Sequence, residues 1–395
     1  MRKGRRGRRR PIVPGSYNGP MPLPIDVCIR GAGVVGRSLA LMLARDRLRV
    51  GLVAQPATAS TAPASPDVRA YALNAASKKL LEDVRAWPDA RHAELVRGME
   101  VHGDDGGTVH FRPGAGDGAL LAWIADVPAL QQRLDEALRY QPLVSLLTEP
   151  VAAPLTVVCE GRASSTRAEF GVNFELTRYG QHAIAARLDA RVPHGGMARQ
   201  WFTGSGDVLA LLPLAAPQDG LPGTGVALVW SVAQERAPEL LALAPEAFAA
   251  RVQAVTEAAT GSLTLVSERA SWPLQLALAD RWSGPGWALA GDAAHTVHPL
   301  AGQGLNLGLA DAGELARVLH GRAYWRGVGE LRLLRAYERA RKAQVLAMGA
   351  ATDGLQQLFA QPAQPWGLLR NWGMRGFDRS GPVKDWVARQ AAGGH

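Results

Sequence analysis

The chain has 395 residues, of which 47% are hydrophobic and 20% charged, and a formal net charge of +9. This composition predicts a globular protein with a sizeable core and excludes disorder along most of the chain. No uncharged apolar run reaches the roughly 20 residues of a spanning helix. The longest strongly apolar run, residues 208–216, is broken by Pro213.

The positive charge comes from the first ten residues, seven of which are arginine or lysine. The remainder carries 37 basic and 35 acidic residues, a near-balance that disfavours a nucleic-acid partner. Residues 1–24 are predicted to be a basic, disordered arm, or to precede in part a true start at Met21. A nucleic-acid or lipid-binding tail and a targeting segment are the alternatives. The Pro- and Gly-rich stretch after the arginines argues against an export signal.

The two cysteines, Cys28 and Cys159, lie in apolar, strand-like runs 131 positions apart. This spacing fits neither a disulfide framework nor a metal cluster, so we expect a reducing, cytoplasmic compartment. His295 and His298 are three residues apart without a third ligand nearby, and no metal site is predicted.

The first predicted elements are a strand over residues 25–30, a helix over 33–45 and a strand over 49–54, which together form a βαβ unit. Further helices are predicted over residues 75–84, 128–140, 245–259 and 304–319. Short strands are predicted over residues 100–103, 108–112, 120–124, 144–147, 155–159, 262–270 and 287–290. Longer alternating strands, typical of an antiparallel sheet, are predicted over residues 174–188, 197–203, 208–214 and 226–233.

The turn after the first strand reads Gly31-Ala-Gly33-Val-Val-Gly36. In a dinucleotide fold the first glycine permits the tight turn, the second lets the backbone approach a pyrophosphate, and the third allows helix and strand to pack closely. A glycine turn without a ligand is the alternative interpretation. The acidic residue usual at the end of the second strand is replaced by Gln55, which can still donate and accept hydrogen bonds.

The most informative segment runs from Trp287 to Gly308 and contains Gly291-Asp292, Pro299, Gly302-Gln-Gly304 and Leu305-Asn306 before a helix. A carboxylate at a strand end suits a ribitol hydroxyl, and free N–H groups at a helix start suit a developing negative charge. This order of features resembles the flavin end of the FAD-dependent aromatic hydroxylases, and the whole run looks like the ubiquinone-biosynthesis branch of that family.

Three softer resemblances occur in the expected order. Arg69-Ala-Tyr-Ala-Leu73 is similar to the family's Arg-x-x-Ala-Leu helix, whose arginine approaches the FAD pyrophosphate and the nicotinamide donor. Gln131 lies in a sequence resembling the helix that touches the flavin. The segment containing Tyr179, Gln181 and His182 is similar to a strand that faces the substrate cavity.

The resemblance implies a p-hydroxybenzoate-hydroxylase-like fold, in which a Rossmann-like α/β domain that binds FAD is interrupted by an antiparallel β-sheet domain that binds substrate. The implied FAD-binding segments are residues 25–97, 126–168 and 271–352. The implied substrate-binding segments are residues 98–125 and 169–270. Residues 353–395 form a helical tail whose aromatic and basic residues suit either packing on the flavin domain or a membrane surface.

Two departures from the family pattern stand out. The central Asp-Gly motif reads Glu160-Gly161, which places the carboxylate on a stem longer by one methylene, so we expect altered FAD or NAD(P)H affinity. Residues 140–159 are too few for the small extra β-meander that relatives carry between these positions. We therefore expect this chain to have a shortened segment there.

The resemblance also implies a reaction. NAD(P)H reduces FAD, O₂ adds to give a flavin C4a-hydroperoxide, and an aromatic ring is hydroxylated, expected here to be a polyprenylated phenol of ubiquinone synthesis. Pro299 and Gly302 are expected to line the site beside the flavin. The N–H groups of Leu305 and Asn306 are expected to stabilise negative charge on it. No residue is assigned as a catalytic acid or base. His295 is expected to brace its loop.

The alternatives are a hydroxylase of another small aromatic or secondary metabolite, and a non-catalytic partner subunit of a biosynthetic complex. Other ubiquinone-biosynthesis enzymes are expected partners, and peripheral contact at the inner membrane face is one expected location.

Overall fold

The computed structural model describes residues 24–54, 67–104, 106–111, 122–215, 221–256, 259–296 and 304–360, without the side chains of 347–360. The basic arm, Gln55, His298, Pro299, Gly302 and the tail beyond residue 360 lie outside the described residues. The strands are β1 Val27–Arg30, β2 Val50–Val53, β3 Ala70–Leu73, β4 Ala93–Val96, β5 Gly98–His102, β6 Thr108–Phe111, β7 Ala122–Asp126, β8 Val144–Leu147, β9 Leu155–Val158, β10 Phe174–Ala190, β11 Met197–Phe202, β12 Val208–Pro213, β13 Gly225–Ala233, β14 Leu263–Leu265, β15 Ala270–Ala279, β16 Ser283–Gly284, β17 Trp287–Leu289 and β18 His295–Thr296. The helices are α1 Val34–Arg45, α2 Ala75–Asp83, α3 Val127–Arg139, α4 Thr166–Glu169, α5 Ala237–Ala242, α6 Pro245–Val255, α7 Gly304–His320 and α8 Leu331–Ala360.

The first sheet has the strand order β16-β17-β9-β1-β2-β8, and all its neighbours except β16 and β17 pair in parallel. Its strands are short and almost wholly apolar, as expected for a parallel sheet that helices cover. One core cluster joins β1, β2 and β9 to α1, α3 and α7. This is the predicted α/β domain, and it is assembled from three separate stretches of the chain.

The second sheet is mostly antiparallel, with the order β18-β15-β10-β13-β12-β11-β5-β6, and β14 also pairs with β10. One face packs against α5 and α6 through a cluster that includes Trp230, Phe248 and Val252. The opposite face meets a small third sheet, β3-β7-β4, through Ala198, Ala227 and Ile124. The third sheet therefore lies between the parallel sheet and the large antiparallel one.

The structure corrects two boundaries expected from sequence. The FAD-binding segment was expected to resume at residue 271, but Ser271, Trp272 and Pro273 belong to β15 and pair with β10 in the antiparallel sheet. The Arg-x-x-Ala-Leu motif was expected on a helix, but Ala70–Leu73 is a strand that pairs with β7, and the helix begins afterwards at Ala75.

The stretch between α3 and β9 contains the single strand β8. This agrees with the trimming expected from the short 140–159 segment. No helix in the described part of the chain is long and apolar enough to cross a bilayer.

Candidate active site

The carboxyl ends of three parallel strands converge at one edge of the first sheet. Gly31 comes directly after β1. Glu160 and Gly291 come after β9 and β17, with one residue between the strand and each of them. From β1 the chain continues through α1 to its neighbour β2, whereas the later strand β17 is added on the other side, beside β9, so the strand order reverses between β1 and β9. Such a switch point opens a crevice at the strand ends, which is where α/β sheets bind ligands.

The three glycines of the first motif differ in what surrounds them. A Cβ atom on Gly31 would lie 2.4 Å from the carbonyl oxygen of Cys159, and one on Gly36 would lie 2.0 Å from the carbonyl oxygen of Gly31. A Cβ on Gly33 would meet nothing within 4 Å. Gly33 is also the N-cap of α1, with no side chain capping the helix and no acidic residue in its first turn. This open, positively polarised helix start fits a pyrophosphate group.

Asp292 lies across the crevice from this helix start, in a short 3₁₀ turn after β17. Its side chain is exposed to solvent, although many protein atoms surround it. Enclosure by protein raises the pKa of this carboxyl, against the opposing influence of His295, Arg162 and Arg69. An accessible carboxylate between two arginines fits the ribitol and phosphate groups of FAD.

Arg69, the predicted phosphate and nicotinamide contact, is held by Asp67. Its Nη2 lies 2.6 Å from Asp67 Oδ2, and this bond raises the pKa of the guanidinium. Tyr71 Oη lies 3.4 Å from Nη1 of the same arginine. The guanidinium remains partly exposed on the cleft side, where it is close enough to Asp292 to influence its pKa.

The turn that carries Asp292 is fixed from behind by a buried ionic network. Asp311 Oδ2 accepts hydrogen bonds from Gly291 N at 2.8 Å and from His295 Nε2 at 2.7 Å, and Oδ1 accepts one from Arg341 Nε at 2.7 Å. Burial would raise the pKa of Asp311, but His295 and Arg341 together hold it below its usual range. Trp282 stacks on the imidazole with ring centroids 4.9 Å apart. His295 thus bonds α7 and stacks on Trp282, and its bracing of the loop stays a prediction.

Glu160 points into the protein. Its carboxylate accepts hydrogen bonds from Ser164 Oγ at 2.7 Å, Thr166 Oγ1 at 2.8 Å and Arg30 Nε at 3.1 Å. These three bonds hold the almost fully buried carboxylate within the central turn. Cofactor binding by Glu160 stays a prediction. Gly161 follows with a φ of +77°, a backbone conformation that favours glycine.

Arg167 connects the central turn to the Asp292 turn. Its guanidinium donates to the carbonyl oxygens of Arg162 at 2.5 Å and Ala293 at 3.1 Å, and its Cζ lies 3.6 Å from the ring centroid of Phe174. Burial lowers the pKa of this guanidinium. Arg167 was not among the site residues predicted from the sequence.

The start of α7 forms a further wall of the crevice. Gly304 is its first residue, and the first four N–H groups of a helix have no partner within the helix. The buried side chain of Asn306 donates to Ala72 O at 2.8 Å and accepts from Asn74 N at 3.0 Å and Ser77 Oγ at 2.7 Å. These bonds attach the start of α7 to the turn between β3 and α2, next to the Arg69 strand.

Gln131 lies near the start of α1. An ion pair of 3.3 Å between Arg37 and Asp135 joins α1 to α3. Both helices run opposite to the parallel strand that follows them, so they are parallel to each other. Gln131 precedes Asp135 by one turn, so it lies on the same side of α3 as the ion pair with α1, and its contact with the cofactor stays a prediction.

The residues expected to face the substrate separate to two sides of β10. Gln181 shares a face with Ala183, and its Nε2 donates to Gly206 O at 3.2 Å. His182 pairs with Val232, which packs under α5 and α6, so His182 lies on the face away from the flavin domain. His182 therefore lies on the opposite face of β10 from Gln181, because neighbouring strand residues point to opposite faces, and its contact with a substrate stays a prediction. Tyr179 lies just before Gly180, where the strand register shifts.

The face of the second sheet toward the flavin domain carries small side chains. Ala183, Ala185 and Ala227 are among them, and Arg187 on the same face pairs with Asp126 and donates to Asp67 O at 3.3 Å, which ties this face to the Arg69 segment. Four other apolar residues on this face remain partly accessible: Val208, Ala210, Val229 and Trp272. Partial exposure of apolar residues in mid-strand marks an apolar cleft wall.

The chain also resembles known proteins. Residues 129–352 match the family described as FAD binding domain. The ubiquinone hydroxylase UbiL of Rhodospirillum rubrum is 30% identical across 97% of this chain and 93% of its own length. The 3-demethoxyubiquinol 3-hydroxylase of Escherichia coli is 29% identical across 94% of this chain and 99% of that protein. The solved structure of p-nitrophenol 4-monooxygenase PnpA from Pseudomonas putida has the same fold, with a TM-score of 0.73 at 17% identity over 94% of this chain and 99% of that one.

Proposed function

Because this chain belongs to the FAD-dependent hydroxylases of ubiquinone biosynthesis, we propose that it hydroxylates the aromatic ring of a polyprenylated phenol, using NAD(P)H and O₂. The observation that carries this proposal is the placement of the glycine turn, Asp292 and an apolar sheet face around one crevice. The first two suit FAD, and the third suits a hydrophobic aromatic substrate.

The residues present fit FAD. The space beside Gly33 and the uncapped start of α1 suit the pyrophosphate, Asp292 suits a ribitol hydroxyl, and Gln131 and Arg69 are the further proposed contacts. When bound, FAD supplies the redox chemistry that takes electrons from NAD(P)H and activates O₂. Arg69 is the proposed contact for transient NAD(P)H.

The protein's own contribution is to position and to stabilise charge. We assign the N–H groups of Leu305 and Asn306, at the positive end of α7, to the stabilisation of negative charge on the flavin ring. The side-chain bonds of Asn306 to Ala72 and Asn74 keep this helix start fixed relative to Arg69. Prepositioned donors of this kind need not reorganise during the reaction.

The second sheet would hold the substrate. The accessible surfaces of Trp272, Val229 and Ala210 would contact a ring and its prenyl chain, while Ala183 and Ala185 leave room beside them. These apolar walls also exclude water from the reacting atoms. Other enzymes of ubiquinone biosynthesis are proposed partners, because substrate and product are shared with them, and a lipid substrate favours peripheral contact with the inner face of the membrane.

A flavin spectrum and a substrate comparison test the proposal. The purified protein should be yellow, its flavin absorbance should bleach with NAD(P)H under anaerobic conditions, and a prenylphenol should stimulate NAD(P)H oxidation more than a small soluble phenol. Colourless protein that takes up no added FAD would favour a non-catalytic partner subunit. Equal or stronger stimulation by the small phenol would favour a hydroxylase of another aromatic compound.

A further inference from the structure

Two aromatic side chains protrude from the connection between α7 and α8. Tyr324 is 93% exposed and Trp325 is 72% exposed, and their rings meet edge to face with centroids 4.9 Å apart. Side chains of this size are usually buried for most of their surface. Tyrosine and tryptophan each have an apolar ring and a polar tip, which makes them favourable at a boundary between water and lipid.

This connection lies at the end of the parallel sheet opposite the flavin crevice. Gly329 O accepts a hydrogen bond from Gly286 N at 3.1 Å, and a Cβ on Gly329 would lie 2.0 Å from Pro154 O. Pro154 and Gly286 precede β9 and β17, so they mark the amino ends of these strands. A surface bound here would leave the crevice open.

The surroundings of the aromatic pair are basic. Residues 321–335, here called the basic aromatic loop, contain four arginines and one acidic residue, Glu330. Arg332 and Arg335 are exposed and form no ion pair with any residue that the structure describes. Arg47, exposed at the turn after α1, adds a further charge nearby, because the adjacent Asp46 bonds His320 at 2.8 Å.

We propose that the basic aromatic loop docks the protein on an anionic lipid bilayer, with Tyr324 and Trp325 at the level of the headgroups and the arginines next to lipid phosphates. Aromatic residues combined with arginines are the composition of interfacial membrane anchors. Two protruding rings among cations do not form the flat patch of roughly 800 Å² per partner that a stable protein interface needs. The membrane as partner rests on the proposed lipid substrate, but vesicle binding is measured without turnover.

Flotation of the full chain with vesicles tests this docking surface. Vesicles of phosphatidylcholine mixed with phosphatidylglycerol should bind the wild type, and vesicles of phosphatidylcholine alone should bind it more weakly. Tyr324→Ala/Trp325→Ala should lower the partition coefficient by about tenfold or more. Arg332→Gln and Arg335→Gln should each lower it by about fivefold. Leu221→Ala, which truncates a 71% exposed residue of the other domain, should change nothing.

The proposal is overturned if the wild type does not float with the anionic vesicles, or if the aromatic double variant floats as the wild type does. It is also overturned if only deletion of residues 361–395 releases the protein. Should the double variant instead change the sedimentation of vesicle-free protein, the loop would be a protein interface and the lipid assignment would be wrong. An inactive enzyme that still binds vesicles through this loop would refute the proposed function and leave the docking surface intact.

Discussion

Replacing Arg341 by methionine tests the buried network behind the Asp292 turn. Arg341 and Asp311 are both buried, and the arginine is the cation that lies 2.7 Å from Asp311 Oδ1. Arg341→Met would leave the Asp311 charge buried, with only His295 and the Gly291 N–H as partners. Removing one member of a buried pair costs about 3–5 kcal/mol of unfolding free energy, because the remaining charge is uncompensated.

Urea unfolding of wild type and variant measures this cost, provided that the slope of unfolding free energy against urea concentration is the same for both proteins. Arg317→Met is the matched control. Its partner Glu314 lies 2.7 Å away, but the Arg317 side chain is 71% exposed, so the expected loss is below about 1 kcal/mol. The double variant Asp311→Asn/Arg341→Met leaves no unpaired charge buried at this position. Its loss of unfolding free energy should therefore be smaller than the sum of the losses in the two single variants. Equal losses for Arg341→Met and Arg317→Met would refute the reasoning.

The network also predicts how stability changes with pH. The pKa of Asp311 is lower in the folded protein than in the unfolded chain, so its stabilising contribution is complete above the unfolded value of about 3.9 and is lost as the pH falls through the folded value. Arg341→Met should raise the folded pKa of Asp311 and move this loss to higher pH. Unfolding free energies of wild type and variant, measured across the acid range, report this shift. If stability fell at the same pH in both proteins, the prediction would be contradicted.

Three further predictions concern the crevice. Gly33→Ala should leave the melting temperature unchanged but weaken FAD binding in a fluorescence titration. Gly36→Ala should lower the melting temperature, because there is no room for its Cβ atom. The reverse pattern would contradict the roles assigned to the two glycines. Asp292→Asn should weaken FAD binding by about tenfold or more, because a charged hydrogen-bond acceptor is lost. The FAD-free variant should be as stable as the wild type, or more stable, near neutral pH. The reason is that a carboxyl with a raised pKa destabilises the fold when it is ionised. Glu160→Asp should destabilise the protein by about 1–3 kcal/mol in urea, because the shorter side chain withdraws from Ser164 and Thr166; a gain in stability would show that the longer side chain is a defect.

The sequence patterns located the crevice because its parts are local. The glycine turn lies between β1 and α1, and the Gly291-Asp292 turn follows the buried strand β17; these elements can be recognised from neighbouring residues. Strand β15 was missed beyond Ala270 because Pro273 interrupts the pattern. The structure accepts this proline because β18 pairs only with Ala277 and Leu278, so β15 is an edge strand where Pro273 lies.

The remaining features depend on distant residues or on the phase of a strand. Arg30 and Glu160 are 130 positions apart, and nothing near Arg341 in the sequence indicates that it meets Asp311. The face to which His182 points depends on the register shift between Arg178 and His182, which a pattern of alternating residues does not reveal. Only the folded sheet fixes such pairings.

The strand order of the parallel sheet has a consequence for synthesis. Strand β17 can insert beside β9 only after every strand of the antiparallel sheet except β18 has been synthesised, and the Asp311 and Arg341 groups that fix its turn are synthesised later still. A chain growing on the ribosome therefore contains the first glycine turn for about 250 residues before Asp292 arrives. We expect flavin incorporation to begin after Arg341 has been translated, so yellow colour would distinguish finished chains from fragments.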